Sequence, residues 1–500
     1  MCSLYEALLS VNWSFLDEYS DIENALSHFY FVLDGILQIY VPKKKNTSGS
    51  YPVWFDSNII KGLKYKNLAS RKYRKSNSPD DYLLFKNLRA QLKSKIKEKY
   101  KCYLQKMNNC IKSDPKVFWS FMKSKKSSVN IPSDMTYNGI NLADPKEIVD
   151  GFAKHFAQSF INTNKIPSDL NCSSLNKNLL ILKSITEENV YLAIKKLKPK
   201  MTSGPDQIPA FVVRDCVNVF ARPLTTLFNL SIKSCKFPDQ WKTSRICPVY
   251  KQGDKSNIEN YRPVAIISNF AKVFELVLHP FFSFHISQML CPNQHGFIRG
   301  RSTETNLVSI TQFLCDSLDN QRQVDVIYAD LSKAFDKIDH QMLLQKLQWF
   351  GFSDSLISLL GSYLSNRYLF VKLNGFQSEL FHQETGVPQG SVLGPLLFDI
   401  FINDIVEIVD VHALLFADDL KIYSVINTHD DSLRLQKCLD KIFNWCKNNN
   451  QVLNKNKCYV MTFTKKVAPV HFDYNIDGTL LTKPEVVRDL GVVFDSKLSF

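Results

Sequence analysis

No Cys-x-x-Cys pair occurs among the twelve cysteines of this 500-residue chain, and no histidine pair stands beside them at zinc-finger spacing. Zinc modules of the common kinds are thereby excluded. The cysteines read as reduced, mostly structural thiols of an intracellular protein. From Met1 to Glu18 the chain has neither the basic start nor the cleavage pattern of a secretory signal. No uninterrupted apolar stretch is long enough to span a membrane, and Asp34 breaks the best candidate, Phe29 to Val41. The expectation is a soluble chain without a membrane partner. Internal repeats and low-complexity tracts are also missing, which excludes a repeat array.

What is present in excess is positive charge, and it is concentrated. Between Lys61 and Lys126 there are 20 lysines and arginines against four acids, a local charge of +16. The whole chain carries +14, so the remainder carries −2. A polyanion is the natural partner of that segment. Within it, Phe85, Leu88, Leu92, Ile96, Tyr100, Tyr103, Met107 and Ile111 recur at spacings of three and four, which predicts one long amphipathic helix from Asp81 to Lys112. Lys86, Arg89, Lys93, Lys97, Lys101 and Lys112 fall on its other face. A solvated lysine face, a membrane-surface helix and a calmodulin-type helix are the alternatives to nucleic-acid contact. Farther on, Thr186 with Glu187 and Glu188 predicts a capped helix ending before Pro199. Helices and short strands then alternate to the end, the pattern of an α+β enzyme.

Candidate chemistry sits in that alternating part. The run Leu414 to Tyr423 reads as a β-hairpin with Asp418 and Asp419 at its tip. A second strand-like run, Val324 to Tyr328, leads to Asp330. Carboxylates at the ends of neighbouring strands hold two Mg2+ ions about 3.5–4 Å apart in sites for phosphoryl or nucleotidyl transfer. Taken alone, an Asp-Asp pair is more often a solvated turn. After Asp330 the chain is expected to turn into a helix, exposing backbone N–H groups from Leu331, Ser332 and Ala334 toward a triphosphate. Phe335 would then lie near the sugar of a bound nucleotide, although an isolated Phe is usually a core residue. The Gly386-Val387-Pro388-Gln389-Gly390 loop would let backbone approach a base pair, with Gln389 as a hydrogen-bonding group. Lys251 and Arg262, on either side of a Gly turn, would clamp β- and γ-phosphates; two exposed surface cations are the alternative.

The order of these motifs resembles the reverse transcriptases of non-LTR (LINE-type) retrotransposons, most closely jockey-like elements. The resemblance runs through Gly204-Pro205-Asp206, Tyr261-Arg262-Pro263, Gln294-His295-Gly296-Phe297, Arg301-Ser302-Thr303, Asp330 with Ala334-Phe335-Asp336, Gly386 to Ser391, and Phe416 to Asp419. It continues to Asn454-Lys455-Asn456-Lys457 and Leu490-Gly491-Val492, and covers residues 1–180 more loosely. It implies an RNA-directed DNA polymerase with right-hand palm and fingers, an antiparallel sheet packed on helices, and a mainly helical basic N-terminal region. It further implies that Asp330, Asp418 and Asp419 bind two Mg2+ ions and that Lys457 donates a proton to the leaving group. Phe335 would exclude a ribose 2′-hydroxyl, and Leu490 and Gly491 would form the primer grip. Template RNA, a DNA primer and dNTPs are the implied partners; nucleus and cytoplasm, as a ribonucleoprotein, the implied location.

The domains expected are residues 1–60 without an assigned role, 61–127 as a basic RNA-binding region, 128–231 as a connector and extension of the fingers, and 232–500 as the polymerase domain. Position 207 is Gln where relatives usually have Gly, and Phe416 replaces a common Tyr. The chain stops at the primer grip, so a thumb is expected to be absent. That leaves a competing expectation, a truncated element remnant that binds RNA without turnover. A viral RNA-directed RNA polymerase is disfavoured by Phe335, which would obstruct a 2′-hydroxyl.

Overall fold

A computed structural model describes residues 2–41, 51–52, 54–125, 131–160 and 179–499. Two compact units are present: Met1–Val41 with Ser133–Phe500, and Pro42–Pro132. The smaller unit is helical, with helices Ser57–Ser76, Pro79–Ser113 and Pro115–Lys125. Its 35-residue helix coincides with the amphipathic run in the sequence and begins with Pro at its first position, where no backbone donor is lost. Leu92 and Met107 are buried along one face, while Lys86, Arg89, Lys93, Lys97 and Lys101 are exposed; the Lys112 side chain lies outside the described residues. Much of the expected connector, residues 161–178, also lies outside them.

In the larger unit the N-terminal segment is helical. Ile22–Tyr40 is one 19-residue helix whose N-cap Asp21 accepts from the Asn24 N–H. Ala25, Leu26, Phe29 and Leu33 from this helix are buried in the main core. Tyr30 donates to Asp206 Oδ2 at 3.1 Å, and Ser268 Oγ donates to the same oxygen at 2.5 Å. The Gly204-Pro205-Asp206 loop is thus a staple between this helix and the start of helix Asn269–Ile286. Gln207 takes φ +60°, the left-handed conformation that a glycine would adopt without a Cβ penalty.

The architecture is mixed helix and sheet. A four-stranded antiparallel sheet has the order Tyr459–Phe463, Gln323–Asp330, Asp419–Ile426, His412–Phe416. Its central strand Gln323–Asp330 is buried at every residue except Asp330. Ile327 and Ala329 enter one apolar cluster, and Val324, Val326 and Tyr328 enter another on the opposite face. This is why the run lacks polar alternation. A second sheet has the order Tyr261–Ile266, Ser244–Tyr250, Arg367–Leu373, Phe376–Gln377, with Phe381–Gln383 paired to Arg367–Leu373. Among the described residues no helix is long and apolar enough to cross a membrane.

A buried polar network joins the second sheet to the helices. Glu275 is 1% exposed and accepts from the Val392 N–H at 2.5 Å, the Leu393 N–H at 3.1 Å and the Tyr363 hydroxyl at 3.1 Å. It therefore caps helix Leu393–Ile402, which has no side-chain cap of its own. The buried Arg367 guanidinium donates to Tyr363 O at 2.9 Å and supplies the compensating charge. Glu275→Leu should lower stability by about 3 kcal/mol, because two helix-end donors and a buried cation are left without their partner. Glu275→Gln, which keeps an acceptor, should cost less. Urea unfolding of both variants checks this; equal losses would contradict it.

Candidate active site

Strand pairing places the acids. Asp419 lies directly opposite Asp330 across the antiparallel ladder, and opposite Phe416 on its other side. Asp418 occupies the turn between the two hairpin strands, after Ala417 at φ +55°. The turn is fixed from outside. Gln294 Oε1 accepts from the Ala417 N–H at 3.1 Å and from the Gly296 N–H at 2.8 Å. The His295 N–H donates to Leu415 O at 2.8 Å, so Gln294-His295-Gly296 runs along the hairpin's outer edge. A Cβ at Gly296 would collide with the Ala417 backbone, which accounts for glycine there.

Burial raises the Asp418 carboxyl above its usual range, and the charge of Asp330 adds to this, while Arg262 and Lys251 oppose it. Asp419 is pushed up to about 6 by burial first, then by Asp418, Asp330 and Asp489. Like charges held close in a partly dry site disfavour ionisation. The three acids do not close on one point: among the described residues no three His, Cys, Asp or Glu side chains are arranged to hold a metal ion. Instead Lys457 Nζ stands 3.3 Å from Asp330 Oδ2. Lys457 is held there because its loop is zipped to the end of the central strand: the Asn454 N–H donates to Asp330 O at 2.8 Å, and the Ser332 N–H to Val452 O at 2.8 Å.

That last bond corrects one expectation. The residues after Asp330 form a turn, and the next helix, His340–Trp349, starts only at His340. No helix N-terminus stands at Leu331, Ser332 and Ala334, and the Ser332 amide is already bonded. Pairing requirements of Leu331 with Leu453 win over helix initiation. Phe335 is half-buried: it stacks on Phe398 with ring centroids 4.4 Å apart and meets the exposed Phe297 edge-on at 6.0 Å. It is thus partly packed into the core and partly exposed.

Lys251 and Arg262 come together as expected. Val249 pairs with Arg262, and the Lys251 N–H donates to Asn260 O at 2.9 Å. Burial, and after it the charges of Arg262 and Lys457, lower the Lys251 ammonium from its usual value, while Asp330 opposes them. The loop Gly386 to Gly390 ties the two sheets' motifs to each other. Its Gly386 N–H donates to Ile338 O at 2.7 Å and its Val387 N–H to Phe335 O at 2.9 Å, while Gln389 O accepts from the Ala265 N–H at 2.7 Å. Gly386 has φ +80° and Gly390 φ +121°, and a Cβ at either would strike backbone oxygen. Pro388 is buried, whereas Gln389 is half-exposed.

A cavity of about 390 Å³ is lined among others by Asp330, Asp419, Lys457, Asp489 and Leu490. Leu490 at φ +45° and Gly491 at φ +96° form the turn between strands Val486–Asp489 and Val492–Asp495. Asp418, Lys251, Arg262, Phe335 and Gln389 are not among its lining residues. Sequence reasoning missed Gln294 as the turn's acceptor, Glu275 as a helix cap, and the ion pair of Lys421 with Asp489 at 2.5 Å. A lone lysine inside Leu420-Lys421-Ile422-Tyr423 was the available signal, since a buried cation needs a partner.

Paired acids at the ends of adjacent antiparallel strands, flanked by a two-cation strand turn and a glycine loop, define the palm and fingers of a template-directed polymerase fold. Residues 250–494 match the family model described as reverse transcriptase (RNA-dependent DNA polymerase). The match places a reverse transcriptase domain in residues 250–494, and over nearly its whole length the chain is similar to RNA-directed DNA polymerases of jockey-like, non-LTR retrotransposons. It is 25% identical over 528 residues to the RNA-directed DNA polymerase from mobile element jockey of Drosophila melanogaster, covering 99% of this chain and 56% of that protein. It is 25% identical over 518 residues to the probable RNA-directed DNA polymerase from transposon BS of the same fly, covering 99% and 57%. The chain thus spans little more than half the length of these relatives. A solved apo telomerase from Candida tropicalis, truncated from its C-terminal domain, aligns at TM-score 0.37 and 14% identity over 51% of this chain and 55% of its own.

Asp336, behind the Phe335 turn, is pushed by burial up to about 7, although Lys333 and Lys337 oppose the shift. A raised folded-state value favours the protonated acid in the folded protein. Its contribution is fullest below the unfolded-state value of about 3.9 and is lost as pH rises toward 7. Asp336→Asn should flatten that loss and be more stable than the parent above pH 7. Unfolding midpoints that fall in parallel for both proteins across this window would contradict the assignment.

Proposed function

We propose that this chain is an RNA-directed DNA polymerase, adding dNTPs to the 3′-hydroxyl of a DNA primer on an RNA template. The observation that carries the reading is the register that sets Asp330 against Asp419, with Asp418 at the adjoining turn. The donor chemistry suits Mg2+, three hard carboxylates with Asp418 raised by burial and by Asp330, and Asp419 by burial, Asp418 and Asp330, but the side chains must rotate toward one another to share an ion. Two Mg2+ ions held by Asp330, Asp418 and Asp419 would supply Lewis acidity at the primer hydroxyl and neutralise charge on the triphosphate.

The remaining work falls to the chain's own groups. Lys251 and Arg262 bind triphosphate oxygens from the finger strands, and the backbone around Leu331, Ser332 and Ala334 lines the same space. Phe335, propped by Phe398, occupies the position of a ribose 2′-hydroxyl and so selects deoxynucleotides. Gly386, Pro388, Gln389 and Gly390 set the template base and nucleotide against the Phe335 turn. Lys457 gives a proton to the leaving pyrophosphate. Leu490 and Gly491 hold the primer end at the cavity. The helical basic unit contacts template RNA, and the assembly works as a ribonucleoprotein in nucleus and cytoplasm.

Purified protein should extend a DNA primer on an RNA template with dNTPs and Mg2+. Asp418→Ala should abolish extension, and Phe335→Ala should admit ribonucleotides. Extension that survives Asp418→Ala would reject the site. The competing reading, RNA binding without turnover, draws on the acids not closing on one point; binding without Asp418-dependent extension would favour it.

For the basic unit, replacing Lys86, Arg89, Lys93, Lys97 and Lys101 by Gln should weaken RNA binding and flatten its salt dependence. Each single-strand phosphate that the variant no longer neutralises takes about 0.7 off the slope of log affinity against log salt. An unchanged slope would exclude this face as the RNA-binding surface.

A further inference from the structure

Lys421 is the one basic residue of strand Asp419–Ile426, two positions from Asp419 on the same face of the sheet. Its side chain is 1% exposed. Its ammonium donates to Asp489 Oδ2 at 2.5 Å and to Asn306 Oδ1 at 2.7 Å. Asp489 ends strand Val486–Asp489, and its own side chain is 4% exposed. The next two residues are Leu490 and Gly491, both at positive φ. Asn306, 0% exposed, donates to Leu415 O at 3.1 Å in the hairpin's outer strand. One buried ammonium thus joins three elements: the acid-bearing strand, the helix Thr303–Asp319, and the strand leading into the Leu490–Gly491 turn.

We propose that the Lys421–Asp489 ion pair is a positioning device that fixes the Leu490–Gly491 turn relative to Asp330 and Asp419, and so governs placement of the primer terminus rather than of the nucleotide. This rests on the polymerase reading above and adds a role to two residues whose charged groups are spent on each other. A buried ion pair is a poor source of stability but a strict one of geometry, because neither partner tolerates a shift that leaves it unpaired. Apolar packing alone would let the two-stranded Val486–Asp495 ribbon slide, since such a ribbon is marginal by itself. Lys421 and Asp489 contribute to the cavity's floor with side chains 1% and 4% exposed, and Leu490 lines it beside Asp330 and Asp419, so a displaced turn changes the shape of that cavity directly.

The test uses the full chain with Asp489→Ala and Asp489→Asn, the second keeping an acceptor for Lys421. Asp489→Ala should raise KM for primer–template by about tenfold, with KM for dNTP unchanged, and Asp489→Asn should recover most of the loss. A fall in kcat with both KM values unchanged marks a merely structural pair and overturns the proposal. Hydrogen exchange on the unliganded chain is the arm that needs no activity. Amides 486–495 should exchange faster in Asp489→Ala while 323–330 keep their protection; unaltered exchange at 486–495 overturns the proposal as well. A parent chain without Asp418-dependent extension would instead sink the polymerase reading, and the exchange result would still decide whether the pair positions the turn.

Discussion

Everything in the site depends on one pairing, that of Gln323–Asp330 with Asp419–Ile426 in the register that faces Asp330 with Asp419. A slip of one residue would carry Asp419 to the opposite face of the sheet and separate the acids. Two devices hold the register. The central strand fills apolar clusters on both faces, so any slip exchanges the residues buried in each. The hairpin turn is gripped at Ala417 by Gln294 and at Leu415 by His295 and Asn306. The Gln294-His295-Gly296 motif is therefore scaffolding for the acids, built into the outer edge of the sheet.

Gathering three carboxylates in a partly dry place is unfavourable, as the raised values of Asp418 and Asp419 show. Cations are distributed to offset this. Lys251 and Arg262 act on Asp418 from the finger strands, and Lys457 stands at Asp330. Beneath Asp419 the buried Lys421 is itself matched by Asp489. The site is poised between repulsion and partial neutralisation.

Much of this was legible in the sequence, and for identifiable reasons. The hairpin declared itself through two apolar runs around Asp418-Asp419, and the central strand through an apolar run too short for a helix. Lys251 and Arg262 were legible because a Gly turn brings flanking strands back on themselves. The 35-residue basic helix followed from its periodicity. The helix expected after Asp330 failed because the local preference gave way to pairing with the loop at Leu453, a partner more than a hundred residues away. Long-range partners explain the other omissions too: Glu275 caps a helix more than a hundred positions on, and Lys421 meets Asp489 from another strand. The N-terminal helix Ile22–Tyr40 carries a three-to-four spacing at Ala25, Leu26, Phe29 and Leu33, the positions it buries in the main core.

The central proposal is that Asp330, Asp418 and Asp419 come together around divalent cations when these bind. Iron-directed backbone cleavage tests it most directly: Fe2+ is bound in place of Mg2+, and peroxide with ascorbate generates hydroxyl radicals at the metal. Cuts should cluster at the end of the central strand near Asp330 and at the hairpin turn near Asp418, and both sets should vanish together with excess Mg2+ or in Asp330→Asn. Cuts at only one of the two places, or cuts that persist in Asp330→Asn, would contradict a shared site.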